Sequence, residues 1–136
     1  MPSFPHAIQA YYHWMPRGRV LVVDDEPALL LTYNLILQKH GYEVSTAANP
    51  DDACQQLKQA HFDLLICDLT LREERDGCHL IDFAMESFPS LRIILMTGSS
   101  RPEVIEWAKQ RGIVILFKPT EVKTLLQVVS DSIGSR

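Results

Sequence analysis

Arg19-Val20-Leu21-Val22-Val23-Asp24-Asp25-Glu26-Pro27 is a strand-sized apolar run that ends in two acids and then meets a proline. Three more runs follow the same plan. Leu64-Leu65-Ile66-Cys67 ends in Asp68, Arg92-Ile93-Ile94-Leu95-Met96 in Thr97, and Ile113-Val114-Ile115-Leu116-Phe117 in Lys118-Pro119. Runs this continuously apolar leave no face for water, which suits parallel strands covered on both sides. Open parallel sheets bind ligands beyond the carboxyl ends of their strands. The pattern therefore predicts that Asp24, Asp25, Asp68, Thr97 and Lys118 meet in one pocket. Carboxylates held together repel and raise one another's pKa unless a cation joins them, and small hard cations prefer oxygen ligands. A divalent-metal site that handles phosphate is the expectation.

Between the runs lie helical segments, and the alternation calls for five strand-and-helix units with helices on both faces of the sheet. Strands are expected near 19 to 23, 43 to 47, 64 to 68, 92 to 96 and 113 to 117; the second, Glu43-Val44-Ser45-Thr46-Ala47, alternates and suits an edge. Pro27, Pro50 and Pro102 fit first-turn helical positions, Asn49 and Thr120 fit N-caps, and Gly41 and Gly112 fit helix ends. In the last helix, Val122, Leu125, Leu126, Val129 and Ile133 form one buried stripe. In the first, Leu29, Tyr33, Ile36 and Leu37 make a core stripe and Leu30, Leu31 and Leu35 are surplus, available to a partner or to the N-terminal arm.

The 136 residues and 46% hydrophobic content allow one domain with a single core. Net charge is −4 with both signs mixed along the chain, which leaves no basic stripe for direct nucleic-acid binding. Cys54, Cys67 and Cys78 have neither zinc-ligand nor disulfide-framework spacing, and the five histidines have no ligand spacing either. No apolar stretch is long enough to span a bilayer and the N-terminus lacks a secretory signal pattern. These features predict a soluble cytoplasmic protein with reduced thiols and no membrane contact. Residues 1 to 18 hold Pro2, Pro5 and Pro16 among Phe4, Tyr11, Tyr12 and Trp14, an arm outside the five-unit domain of residues 19 to 136; Met15 is a second candidate start.

Chemistry assigns roles within the pocket. A carboxylate attacks a phosphoryl group only when charge on the transferring oxygens is neutralised. Asp24 and Asp25 would hold Mg2+ directly or through water, Asp68 would be both ligand and nucleophile, and Thr97 and Lys118 would contact the phosphoryl oxygens. The product is a labile aspartyl phosphate.

The ordered set Val22-Val23-Asp24-Asp25-Glu26-Pro27, Leu65-Ile66-Cys67-Asp68-Leu69, Asp76-Gly77, Leu95-Met96-Thr97-Gly98 and Phe117-Lys118-Pro119 resembles the receiver domain of two-component response regulators, from about Arg19 to the C-terminus. The resemblance implies a doubly wound, flavodoxin-like fold with five parallel strands and five helices. It implies phosphorylation of Asp68 by a histidine kinase or histidine phosphotransfer protein, and Mg2+ held by Asp25, Asp68 and the Thr70 carbonyl with Asp24 assisting. It also implies a switch in which Thr97 moves toward the phosphoryl group, a cis Lys118-Pro119 peptide, and the option of a homodimer. The chain is then either a stand-alone regulator or the receiver part of a longer one, with a downstream protein or an output domain as its target.

Two positions depart from the family pattern. Ile115 stands where Tyr or Phe usually completes the switch. The loop Leu69 to Gly77 lacks the usual proline and is one residue longer, which predicts greater mobility, with Arg72, Glu73, Glu74 and Arg75 as a solvated face. Thr70 and Ser99 flank the path of hydrolytic water with small hydroxyls, so the aspartyl phosphate is expected to have an ordinary lifetime. Two other functions compete with the switch. One is a receiver-like interaction module independent of phosphate. The other is a phosphohydrolase of the haloacid dehalogenase class, which needs a general acid where Thr70 stands.

Overall fold

The computed structural model describes residues 16–69, 74–98 and 101–134. Five parallel strands, β1 (Arg19–Val23), β2 (Glu43–Ala47), β3 (Leu64–Leu69), β4 (Arg92–Thr97) and β5 (Val114–Phe117), form one sheet in the order β2-β1-β3-β4-β5. Among the described residues five helices connect and close it: α1 (Pro27–Lys39), α2 (Pro50–Gln59), α3 (Glu74–Ser87), α4 (Pro102–Gln110) and α5 (Val122–Ile133). This is the doubly wound architecture expected from the alternation of apolar runs and helical segments.

The sheet divides the core in two because successive strand side chains point to opposite faces. On one side Leu21, Leu65, Cys67, Ile93 and Leu95 pack against Ala53 and Leu57 of α2, Leu80, Ile81 and Ala84 of α3, and Val104 and Ala108 of α4. On the other, Val20, Val22, Leu64, Ile66, Ile94 and Met96 meet Leu37 of α1 and Leu125 and Val129 of α5. Both faces of β1, β3 and β4 are therefore dry. β5 differs from the expectation: Val114 and Phe117 are exposed, because β5 is an edge strand with no neighbour on its outer side. β2, the other edge, carries the expected alternating composition and is only partly buried.

Helix punctuation agrees with local chemistry in most places. Pro27, Pro50 and Pro102 occupy first-turn positions, where a missing N–H costs nothing. Asn49 caps α2, its side-chain oxygen accepting from the Asp52 N–H at 2.8 Å. Gly41 and Gly112 follow α1 and α4 at φ of 91° and 67°, the left-handed region that glycine enters freely. Thr120 is not the cap of α5. Glu121 holds that position, and the Thr120 hydroxyl instead donates to the Phe117 carbonyl at 2.8 Å, closing the turn after β5.

Rotation of α1 also departs from the expected stripe. Leu30, Tyr33 and Leu37 pack toward the core, while Leu31 and Leu35 face solvent. On α4, Val104 is buried and Trp107 packs against the core with the Arg111 guanidinium 4.6 Å above its ring. On α5 the stripe holds except at its first residue, Val122, which is exposed.

Candidate functional site

The sheet order places β1 beside β3, with crossovers leaving in opposite directions from the two strands, so a crevice opens at their carboxyl ends. Asp24 follows β1 and Asp68 lies near the end of β3. Exposure singles out the same positions. Among the described residues the buried polar or charged ones are Asp24, Asp68 and Thr97, at 2%, 4% and 1% exposed. Burial of charge is costly unless it is compensated, and all three sit at strand ends around one crevice.

Asp24 is held by its backbone and its own turn. Its N–H donates to the Ala47 carbonyl at 3.1 Å, and its Oδ1 accepts from the Glu26 N–H at 3.1 Å. Oδ2 is buried with no hydrogen-bond partner. Asp68 Oδ1 lies 2.5 Å from the Lys118 ammonium, a close ion pair, and Oδ2 accepts no hydrogen bond. Lys118 is delivered by β5, whose end is tied to β4 by the bond from the Lys118 N–H to the Thr97 carbonyl at 2.8 Å. The peptide Lys118-Pro119 is cis.

Electrostatics follow from this packing. Burial, with the neighbouring Asp24 adding to it, pushes the Asp68 carboxyl up to about 7, while the Lys118 ammonium acts in the opposite direction. Tyr33 responds to the same centre: burial first, then the charges of Asp68, Asp24 and Glu26, push its hydroxyl up to about 12. That tyrosine reads as core in the sequence, and only the tertiary approach of α1 to the crevice reveals its place beside the acids.

Asp25 stands apart from the buried pair. It is exposed and lines the mouth of a small cavity, about 10 Å³, shared with Asp24, Asp68, Asn49 and Gly77. Among the described residues no three His, Cys, Asp or Glu side chains close into a metal cage. The expected trio of clustered carboxylates is therefore a buried pair with a third acid at the rim, because Asp24 turns inward at the strand end while the next residue turns outward. The pair fits a hard cation: two carboxylate oxygens, Asp24 Oδ2 and Asp68 Oδ2, are buried without partners, the donor type that such ions prefer. Thr70 and Ser99 lie outside the described residues, as does most of the loop expected to be mobile, and nothing is described of the Glu74, Arg75 and Asp76 side chains. Ile115 is half-buried and packs on the α2, α3 and α4 side of the sheet.

Residues 20–130 match the response regulator receiver domain family. The chain belongs to this family. Among the relatives of this receiver, the alginate biosynthesis transcriptional regulatory protein AlgB of Pseudomonas aeruginosa is 36% identical over 104 residues, covering 76% of this chain and 23% of AlgB. The transcriptional regulatory protein GlrR of Escherichia coli is 31% identical over 117 residues, 85% of this chain and 26% of GlrR. The receiver thus spans about a quarter of the length of these regulators. Among solved structures, a CheY-like response regulator receiver domain protein from Methanospirillum hungatei superposes with a TM-score of 0.79 at 27% identity, over 88% of this chain and 94% of that one. Chemotaxis protein CheY4 of Vibrio cholerae superposes at 0.75 with 30% identity, over 87% and 98%. No helix among the described residues is long and apolar enough to cross a membrane.

Proposed function

We propose that this receiver is a phosphorylation-dependent switch that takes a phosphoryl group onto Asp68 from a histidine kinase or histidine phosphotransfer protein. The observation that carries the reading is the buried Asp24 and Asp68 pair with the Lys118 ammonium against Asp68. In the transfer, an ionised Asp68 oxygen attacks phosphorus and the bond from phosphorus to the donor nitrogen breaks, leaving an aspartyl phosphate. Asp68 must lose its proton first, and its raised pKa keeps part of the metal-free population protonated near neutral pH.

Asp24 and Asp68, with Asp25 at the rim and the Thr70 carbonyl, would hold Mg2+, which when bound neutralises charge on the carboxylates and the incoming phosphoryl oxygens. Lys118 then exchanges its contact with the carboxylate for one with the phosphoryl group, and the Thr97 hydroxyl donates to another phosphoryl oxygen. Those two side chains sit on β4 and at the end of β5, so their movement alters the surface of α4, β5 and α5. A shift between two surface populations is the signal.

In this reading residues 19 to 136 are the switching unit, residues 1 to 18 lie outside it, and the chain is a phosphoacceptor rather than an enzyme acting on free substrates. It acts in the cytoplasm on a protein target or an attached output domain, with no nucleic-acid contact of its own. A second reading, a receiver-like module independent of phosphate, is favoured by Ile115, whose aliphatic side chain replaces the usual ring and packs on the core.

Intact mass after acetyl phosphate and Mg2+ tests the first reading. Wild type should gain one phosphoryl mass and Asp68→Ala none; equal labelling of both would refute the assignment. An Mg2+-dependent spectral response to beryllofluoride separates the switch from the module, which would show none.

A further inference from the structure

We propose that the N-terminal segment before Pro16 docks on the solvent flank of α1, with Trp14 against Leu35 and Tyr11 or Tyr12 against Leu31. Leu31 and Leu35 are 59% and 58% exposed and one helical turn apart, and Pro27 and Ala28 extend the same apolar strip. Across the thirteen residues of α1 the only charged side chain is Lys39. The flank is mixed, with Thr32, Gln38 and Lys39 exposed beside the two leucines, and adjoining exposed leucines on such a flank mark a surface that a partner segment covers. At 100° per residue, Leu31 and Leu35 each stand roughly 160° around the helix from Tyr33, the residue that feels Asp68 and Asp24. The strip therefore faces away from the phosphoacceptor crevice, and the sheet core already takes Leu30 and Leu37.

Placement and reach point to the occupant. The Arg17 N–H donates to the Gly41 carbonyl at 2.8 Å, and its guanidinium donates to the His40 carbonyl at 3.3 Å and lies 4.8 Å from the centre of the Tyr42 ring. The chain thus enters the fold at the C-terminal end of α1. Measured along the helix from Gly41, Leu35 is about 9 Å away and Leu31 about 15 Å. An extended chain covers about 10 Å from Arg17 back to Trp14 and about 17 to 20 Å back to Tyr12 and Tyr11. The segment is therefore long enough to bring Trp14 level with Leu35 and Tyr12 or Tyr11 level with Leu31. Residues 1–15 contain no Asp, Glu, Lys or Arg, and the one charged side chain of α1, Lys39, is exposed at the end of the strip with its ammonium free to stay in water, so docking desolvates no charged side chain of either.

Two measurements test the docking. In full-length protein, ring currents should displace the Leu31 and Leu35 methyl resonances upfield, and a chain beginning at Met15 should lose the displacement. Undisplaced methyls in the full chain would overturn the proposal. Trp14 and Trp107 are the two tryptophans, so Trp107→Phe isolates Trp14 fluorescence. Its emission should be blue-shifted, and adding Leu31→Gln and Leu35→Gln should move it to the red with severalfold stronger acrylamide quenching. Emission already typical of water, or shielding indifferent to the leucines, contradicts the arm. So does a dimer abolished by Leu31→Gln and Leu35→Gln but retained by the chain from Met15, which would assign the flank to a second copy.

Discussion

Asp68 is an acid that the fold places between apolar strands, and its proton governs how the receiver responds to pH. Burial pushes the carboxyl up to about 7 in the folded protein from an ordinary 3.8. From about pH 4 to about pH 7 the native state holds a proton that the unfolded chain has lost, so stability of metal-free protein falls as pH rises through that window and is flat above it. The fall should be of the order of a few kcal/mol. Thermal melts from pH 4.5 to 8 would show it, and Asp68→Asn should flatten the profile because the amide does not titrate. In the proposed site Mg2+ would compete with the same proton, so its affinity should climb with pH and level off above about 7. Calorimetric titration at several pH values checks this, and a flat profile would place the cation elsewhere.

Lys118 gives a second residue-scale prediction. Lys118→Ala removes a positive charge 2.5 Å from Asp68 Oδ1, so Mg2+ affinity should be retained or increased. The change that beryllofluoride produces on the α4, β5 and α5 surface should shrink or vanish, because nothing then links β5 to the phosphoryl mimic. Amide shift perturbation reads both effects, and a surface response like that of wild type would count against the role given to Lys118.

Elements are built from caps, turns and stripes whose contributions are separable. Asn49→Ala deletes the side-chain acceptor of the Asp52 N–H and should destabilise the receiver by about 1 kcal/mol in urea unfolding. Gly41→Ala should cost about 1 to 2 kcal/mol, since φ is 91° there and a Cβ would come within 3.2 Å of the Arg17 side chain. An unchanged urea midpoint in either variant would contradict the local account.

The same scale shows what a bare sequence reveals. Strand positions were legible because long apolar runs exclude a wet face, and the site was legible because Asp68 and Thr97 end such runs, where burial makes a polar group conspicuous. Other features were not. Thr120 has the chemistry of a cap, but its hydroxyl finds the Phe117 carbonyl first. In a helix as leucine-rich as α1, spacing alone cannot choose which leucine turns inward, so Leu30, expected among the surplus, packs on the core beside Tyr33 and Leu37, while Leu31 and Leu35 stay exposed as expected. Asp24 and Asp25 are alike in sequence, and only the turn after β1 directs one inward and leaves the other exposed. Tyr33 carries no local sign of its proximity to the acids.

At the scale of the molecule, two thin cores on either side of one sheet must hold five strand ends in register. Ile66 is fully buried on the α1 and α5 side, and Ile66→Ala should cost about 2 to 5 kcal/mol. It should also weaken Mg2+ binding, because Asp68 follows two residues later on the same strand. The central claim is that acids more than forty positions apart in the chain, Asp24 and Asp68, form one cation site at the place where the sheet order reverses. Titrating Mn2+ into isotopically labelled receiver tests it most directly, since the paramagnetic ion broadens amides near it. The account predicts early loss of the Asp24, Asp25, Asp68 and Lys118 resonances together, and no such loss in Asp68→Asn. Broadening confined to one of these strand ends, or unchanged by that substitution, would contradict it.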